Sequence, residues 1–440
     1  MTGAHDDGRP ARTTWFAPRW NLSPAVVAAV VASVVCLVAG FVAARVDLAL
    51  VAAPLIVSAA LAWDRRPSER LRVGIRAQVE PAGGATLAAS VHAHADARAD
   101  AFELRLSLHD QPPIEAVVST RAAARLGAAL TVGHSGPQSF VAVEVRMLGA
   151  DASIVSEPTP VVTADRVVPP RVLPVRSLPL PYRLGGLTGP HDSARPGDGG
   201  EFRDVDRFTA GDRLRRIDWK ATARRAQLPG ELYVRRTMAT SDAAIQFVLD
   251  SRDDLTARVA DWAVPHPLPG VSSQDLAREA AASLAGAYVA AGDRVGFDDL
   301  ADAARGIPAR SGARHLQRVL RAVALTGPRG VATERVRAPI LPPGALVYVL
   351  STFLDEQALR LALVWRAAGH RVIAIDVLPD PSTDDLAARE AVALRVVQLE
   401  RTLRFRRLTA AGIDLLRWQD TPGAAPEARL RELSRPRRRR

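Results

Sequence analysis

The run Ala243-Ala244-Ile245-Gln246-Phe247-Val248-Leu249-Asp250 decides how the C-terminal half folds. It is apolar apart from Gln246 and stops on a carboxylate, the pattern of a strand covered on both faces. A regular alternation follows. Ser273 to Ala291 carries Leu276, Ala280, Leu284 and Tyr288 on one helical stripe, with Ser272 and Asp275 as a capping pair and Gly292 as its stop. Val295 to Phe297 reads as a strand, and Ser311 caps a helix bearing Leu316, Val319, Leu320 and Val323. Ala345 to Leu350 is a strand, Asp355 to Ala368 a helix ended by Gly369, and Val372 to Val377 a strand. Val396 to Leu399, Arg401 to Ala411 and Ile413 to Leu415 complete the series as strand, helix and strand. This predicts an α/β domain over residues 241–420, a doubly wound parallel sheet whose ligands sit beyond the carboxyl ends of its strands. Asp250 and Ser351 occupy such ends.

N-terminal to this domain lies the densest charged stretch of the chain, over residues 201–240, with Asp and Arg interleaved between Glu201 and Arg225. Ion-paired surface is one reading of such a stretch. Phe202 and Trp219 among the charges point instead to a partly buried network. Residues 166–200 are rich in Pro and Gly and read as a linker. Residues 70–165 break into short alternating runs, such as Phe102 to Leu108 and Ser139 to Met147, which suit antiparallel strands of a small β-sandwich. His92 and His94 share one face of such a run without an acidic or Cys partner, so a solvated face is the reading.

Two apolar runs occupy residues 23–64. Pro24 to Ala44 carries no charge and is as long as the roughly 20 residues a helix needs to cross a bilayer. Leu48 to Trp63 is uncharged, shorter, and contains Pro54. Arg9, Arg12 and Arg19 precede the pair and Arg65, Arg66, Arg70 and Arg72 follow it, while the turn holds Arg45 and Asp47. The positive-inside bias puts both flanks, including an N-terminal segment 1–22, in the cytoplasm. Trp15, Trp20 and Trp63 sit where an interfacial aromatic belt falls. A two-pass plasma-membrane protein with cytoplasmic soluble domains is expected; a signal peptide is the alternative, weakened by the second apolar run.

The chain has 440 residues, a net charge of +11 and a single cysteine, Cys36, inside the first apolar run, which excludes an internal disulfide framework. Of 58 basic residues only Lys220 is lysine, an arginine bias typical of a GC-rich, actinobacterial-like composition. An ammonium kept at one position hints at a role there. No phosphate-cradling Gly-x-x-x-x-Gly-Lys-Ser/Thr loop and no Gly-x-Ser-x-Gly elbow is present, and the His134-Ser135 pair within Gly133 to Gly136 diverges on extended backbone. The basic tail within residues 421–440, Arg435 to Arg440, suits an anionic membrane surface or nucleic acid, the membrane being favoured and nucleic acid unlikely.

Glu201-Phe202-Arg203, Gly211-Asp212, Arg216-Ile217-Asp218-Trp219-Lys220 and Ala223-Arg224 resemble the signature of the domain-of-unknown-function 58 family, and Gly292 to Phe297 and Gly369 to Val372 fit its downstream pattern. The resemblance spans Pro174 to Trp418 and includes the layout of two membrane helices before a β-rich segment. It implies a von Willebrand factor A-like C-terminal half and a partnership with MoxR-type AAA ATPases. The expected function is therefore a membrane-tethered adaptor, not an enzyme, acting in assembly or maturation of other proteins. Its signature residues Glu201, Phe202, Arg203, Gly211, Asp212, Arg216, Asp218, Trp219, Lys220 and Arg224 would form the interaction segment. A metal-binding A domain presents Asp-x-Ser-x-Ser after its first strand, plus a Thr and an Asp, because a hard cation needs convergent oxygens. Here Asp250, Arg252 and Asp254 hold that spacing, Ala313 the Thr position, and Thr352, beside Ser351, the Asp position. Asp250, Asp254 and Ser351 are thus a degenerate metal site, with Mg as its occupant if any, and Arg252 is placed to neutralise the two carboxylates. A metal-dependent enzyme at Asp250 and a membrane-attached nucleic-acid binder are the alternative functions.

Overall fold

The computed structural model describes residues 13–17, 19–64, 73–83, 86–95, 100–108, 112–119, 124–149, 152–185, 189–264, 270–328, 335, 337–384, 386–419 and 426–435, with the side chains of 62–64, 74, 78, 80–83, 95, 124–125 and 192–201 left aside. Arg9, Arg12, Arg65, Arg66, Arg70, Arg72 and the tail beyond Arg435 lie outside the described residues, as do the side chains of Trp63 and Glu201. The chain divides into two compact units, residues 1–132 with 138–166, and residues 133–137 with 167–440.

The first unit opens with two strands that the sequence did not announce, β1 (Thr14–Phe16) and β2 (Trp20–Leu22). Helices α1 (Pro24–Val42) and α2 (Val46–Asp64) follow. Ser23 caps α1, its hydroxyl accepting from Val26 N at 3.4 Å. The turn between the helices is tight: Ala44 has φ +51°, and a Cβ on Gly40 would lie 2.9 Å from the Arg45 carbonyl oxygen. Among the described residues one helix, α1, is long and apolar enough to cross a membrane; the apolar part of α2, Val46–Leu61, is shorter. Val31, Val34, Val35, Val38 and Phe41 of α1 are exposed.

The rest of this unit is antiparallel: β3 (Val73–Gly83), β4 (Thr86–Ala95), β5 (Ala101–Leu108), β6 (Ile114–Ser119), β7 (Ala124–Thr131), β8 (Gly136–Gly149), β9 (Ile154–Ser156) and β10 (Val162–Val168). One sheet runs β1-β3-β4-β7 and the other β2-β9-β8-β5-β6, with β10 on β8. Every second residue of β5 is buried, Phe102, Leu104, Leu106 and Leu108, as the period-2 runs predict for a sheet with one wet face. The N-terminal strands change one reading. Trp20, expected in an aromatic belt, is 8% exposed, because β2 pairs with β9 and draws its indole inward. Trp15, at 51%, stays out.

The second unit begins with the Pro-rich segment, whose Leu173, Val175, Leu178, Leu180 and Leu184 pack against the main core, so it is strapped to the domain and is no free linker. Next come β11 (His191–Arg207), α3 (Trp219–Arg225) and β12 (Tyr233–Ser241); β11 and β12 form a two-stranded antiparallel ribbon with bulges. The remaining elements are β13 (Ala244–Leu249), α4 (Ser273–Ala290), β14 (Arg294–Asp299), β15 (Ile307–Arg310), α5 (Ala313–Ala324), β16 (Leu346–Ser351), α6 (Gln357–Ala367), β17 (Arg371–Asp376), α7 (Ala388–Ala410), β18 (Asp414–Arg417) and α8 (Glu427–Ser434). The sheet order is β15-β14-β13-β16-β17-β18, parallel except for the edge strand β15. Every residue of β13, β16 and β17 is buried, as expected for strands covered on both faces. The expected doubly wound α/β sheet is thus present.

Two boundaries differ from the sequence reading. Val396 to Leu399 is the middle of α7 and not a strand, since the surrounding Ala, Leu, Glu and Arg favour a continuous helix over a short β-branched run. Ser311 does not cap α5: Gly312, at φ +96°, is the N-cap residue. The capping box of α4 is as expected, with Ser272 and Asp275 bonding each other's backbone N–H groups at 3.3 and 3.2 Å.

Candidate functional site

Beyond the carboxyl ends of β13, β14, β16 and β17 the chain gathers Asp250, Asp253, Asp254, Asp298, Asp299, Ser351 and Asp376. Asp250 is fixed first. Its backbone N–H donates to Leu350 O at 2.8 Å, and its Oδ2 accepts from Ser351 Oγ at 2.9 Å. Arg252 closes on the same carboxylate as a fork, Nε to Oδ1 and Nη2 to Oδ2, both 2.8 Å, while its Nη1 lies 2.5 Å from Asp355 Oδ2. The Asp250 and Arg252 side chains are each 5% exposed. Burial disfavours the guanidinium's charge, yet the hydrogen bonds of Asp250 and Asp355 outweigh it and hold Arg252 more firmly protonated than usual.

Asp298 and Asp299 have partners of their own. Ser251 Oγ donates to Asp299 Oδ1 at 2.5 Å, and Gln246 Nε2 to Asp298 Oδ2 at 2.9 Å. Burial pushes both acids up, as it does Asp253, where the Asp250 charge adds to the effect. Asp376 is paired with Arg401, whose Nε also donates to Thr352 O at 2.7 Å. Ser351 Oγ is spent on Asp250 and on Phe353 N, which donates to it at 3.0 Å.

Arg252 does not neutralise Asp250 and Asp254 together. Asp254 Oδ1 instead accepts from Gln274 N at 3.2 Å, at the start of α4, and Asp355 takes its place beside the guanidinium. Ala313 contributes no oxygen, and Thr352 engages Arg401 through its carbonyl. Among the described residues no group of three or more His, Cys, Asp or Glu side chains is arranged to hold a metal ion. A resident guanidinium on the leading carboxylate does not fit a hard cation, which needs that oxygen for itself. The carboxyl end of β13 is closed by the Asp250–Arg252 pair, each side chain 5% exposed.

The signature residues behave in the opposite way. The stretch between β11 and β12 turns at Gly211, φ +107°, beside Asp212, whose Oδ2 accepts from Thr209 N at 2.9 Å and Thr209 Oγ1 at 3.0 Å. Arg236 ties the base together, with Nη1 2.8 Å from Asp206 Oδ2 and Nη2 3.3 Å from Asp212 Oδ2. Asp218 caps α3, accepting from Ala221 N at 2.9 Å, and Thr222 Oγ1 accepts from Tyr233 N at 3.0 Å. Internal ties thus hold the arm's shape while its large apolar groups point out: Trp219 is 67% exposed, Leu214 71%, Leu228 71% and Phe202 47%. Phe202 and Trp219 are therefore no part of a buried network, because short α3 and a two-stranded ribbon offer no second layer to cover them. Arg235 stacks over Phe202 at 5.1 Å. Lys220, Arg203 and Arg224 are exposed, and Arg216 is half-buried. Between Arg213 and Arg225 stand Arg213, Arg215, Arg216, Lys220, Arg224 and Arg225 against one carboxylate, Asp218, which is used as the cap.

Residues passed over in the sequence form a third cluster. His134 Nδ1 lies 2.6 Å from Asp275 Oδ2, and Ser135 N and Oγ donate to Asp275 Oδ1 at 2.7 and 2.8 Å. Arg278, 4% exposed, donates to Ser135 O at 2.7 Å and Thr326 O at 2.6 Å. A Cβ on Gly136 would strike that guanidinium at 2.6 Å, so the glycine of the Gly133 to Gly136 turn is required. His134 and Ser135, read from the sequence as diverging, both meet Asp275, because one side chain and one backbone amide with its hydroxyl take different oxygens of that carboxylate.

Residues 204–412 match the family described as protein of unknown function DUF58, a narrower span than Pro174 to Trp418. Uncharacterized proteins of Mycobacterium bovis and Mycobacterium tuberculosis are 29% identical over 286 residues, covering 60% of this chain and 86% of theirs. No solved structure matches the chain. Most of the arm and the sealed cluster fall within the matched span, so over residues 204–412 the chain is similar to the DUF58 family.

Proposed function

We propose that this protein is a membrane-tethered adaptor that presents the arm between β11 and β12 to a partner protein, a MoxR-type AAA ATPase being the partner that the family resemblance implies. The observation that carries the reading is the outward display of Trp219 and Leu214 on the arm, and of Phe202 on the adjoining β11, over an ion-paired frame. Exposed aromatic and Arg side chains are the composition of interface hot spots. The sealed Asp250–Arg252–Ser351 cluster supports an interaction role over metal-dependent catalysis. The parallel sheet with helices and one antiparallel edge strand supports the von Willebrand factor A-like reading of this half.

The tether is α1 with α2 as a second span. Its support is a strand register: Thr14, Trp15 and Phe16 before the hairpin pair with Ile75, Gly74 and Val73 after it. Both ends of the apolar segment enter one sheet, which supports an even number of crossings over a single one. The arginine-rich flanks support the cytoplasm as the side of that sheet.

Affinity capture of the full chain from native membranes tests the adaptor role. The wild type should co-isolate an AAA ATPase, and Trp219→Ala with Lys220→Glu should lose it while keeping wild-type thermal stability. Equal recovery by both chains, or none by the wild type, overturns the reading.

A further inference from the structure

Helix α7 has two apolar faces. At about 100° per residue, Leu394, Arg404 and Leu408 fall on the side that is buried in the domain. Val392, Val396, Leu399 and Leu403 fall on the opposite side, within about 60° of one another, and are 56%, 51%, 65% and 56% exposed. Their spacing, four then three then four, is that of a coiled-coil seam. Arg389 precedes the seam and Arg406 follows it, one step beyond each end. A helix that needed only its domain would carry polar residues there.

We propose that this seam is a homodimer contact in which two copies of α7 pack in parallel. Val396 and Leu403 then occupy a positions, and Val392 and Leu399 occupy d positions. The occupant follows from charge. On that register Arg395 is a g residue and Glu400 the e residue of the next heptad, the pair that faces across a parallel coiled coil. Two-fold symmetry makes the contact twice, Arg395 of each copy against Glu400 of the other. Glu400 is 57% exposed and leans on Arg404 at 3.2 Å, while Arg404 keeps a second acid, Glu356, at 3.1 Å, so Glu400 is available to a neighbour. An antiparallel pair loses this match, because there g faces g and Arg395 meets no acid. The seam covers about three turns, which makes a short zipper and a weak dimer compared with the roughly 800 Å² per partner of a standard interface.

The test uses the full chain in detergent, with Cys36→Ser removing its one thiol. Val396→Cys and Leu399→Cys should each form disulfide-linked dimers under mild oxidant, whereas Gln398→Cys, exposed on the same helix but off the seam, should not. Sedimentation should show reversible dimerisation that Leu399→Asp abolishes, that Arg395→Glu weakens about threefold to tenfold, and that Arg395→Glu with Glu400→Arg restores. Restoration excludes a folding defect. A chain monomeric at every concentration, Gln398→Cys linking as well as the seam positions, or a double reversal no better than the single one overturns the proposal. Linking only between Val396→Cys and Leu399→Cys chains mixed together overturns the parallel arrangement.

Discussion

Arg252 determines what the end of β13 is able to do. Asp250 and Ser351 were legible as strand-end residues, because a doubly wound sheet gathers its polar groups beyond the carboxyl ends. The choice of Asp355 over Asp254 as the second acid for Arg252 was not legible, since it depends on where the loops after β13 and β16 return, and loop geometry leaves no period in sequence. With its fork on Asp250, the guanidinium supplies the counter-charge that a cation would otherwise supply. Removing one member of a buried pair leaves the other charge without compensation, at about 3–5 kcal/mol, whereas replacing both is often nearly neutral. Arg252→Met should therefore destabilise the chain by about that amount in denaturant unfolding, and Arg252→Met with Asp250→Asn should regain most of it. An Arg252→Met chain as stable as the wild type would show that water already screens this cluster.

At the scale of elements, the parallel strands and α4 to α6 were legible because buried β-strands and one-sided helices write plain periods into sequence. The ribbon of β11 and β12 was not. Its register shifts at Ser193/Pro196, Gly197/Phe202 and Phe202/Asp204 break the alternation. Helix α7 was split for the reverse reason, an exposed seam that mimics a short strand. Helix α4 shows how a legible cap acquires more than its local role. Burial of Asp275 raises its pKa, but His134 and the Ser135 backbone and hydroxyl outweigh that and bring it from 3.8 down to about 2. A depressed acid stabilises the fold above its unfolded pKa and loses that contribution as pH falls through the folded value. Between pH 4 and pH 2, then, the start of α4 should lose about 2 kcal/mol of support. The gap in unfolding free energy between wild type and Asp275→Asn should shrink as pH falls through that window. A gap that stays flat down to pH 2 would mean the His134 and Ser135 bonds do not hold the charge.

For the whole molecule, hydropathy read the apolar segment directly but could not find β1 and β2, three residues each and visible only through their distant partners in β3 and β9. Those pairings support the proposed hairpin on grounds independent of arginine counting. Charge bias is a statistical preference, whereas β1 and β3 must share a compartment to hydrogen-bond. A single crossing by α1, with α2 left outside, would separate residues 14–16 from residues 73–75 by the thickness of a bilayer and break that sheet. The proposed hairpin therefore puts Val46, the first residue of α2, on one side and Thr14 with Glu115 on the other. In a Cys36→Ser background, an impermeant thiol reagent on intact cells should label Val46→Cys, and should label Thr14→Cys and Glu115→Cys only after lysis. Labelling of all three in intact cells would place the β-rich unit outside and remove the cytoplasmic adaptor reading with it. Labelling of none would leave both apolar helices on the cytoplasmic side, packed on a surface and not through a membrane.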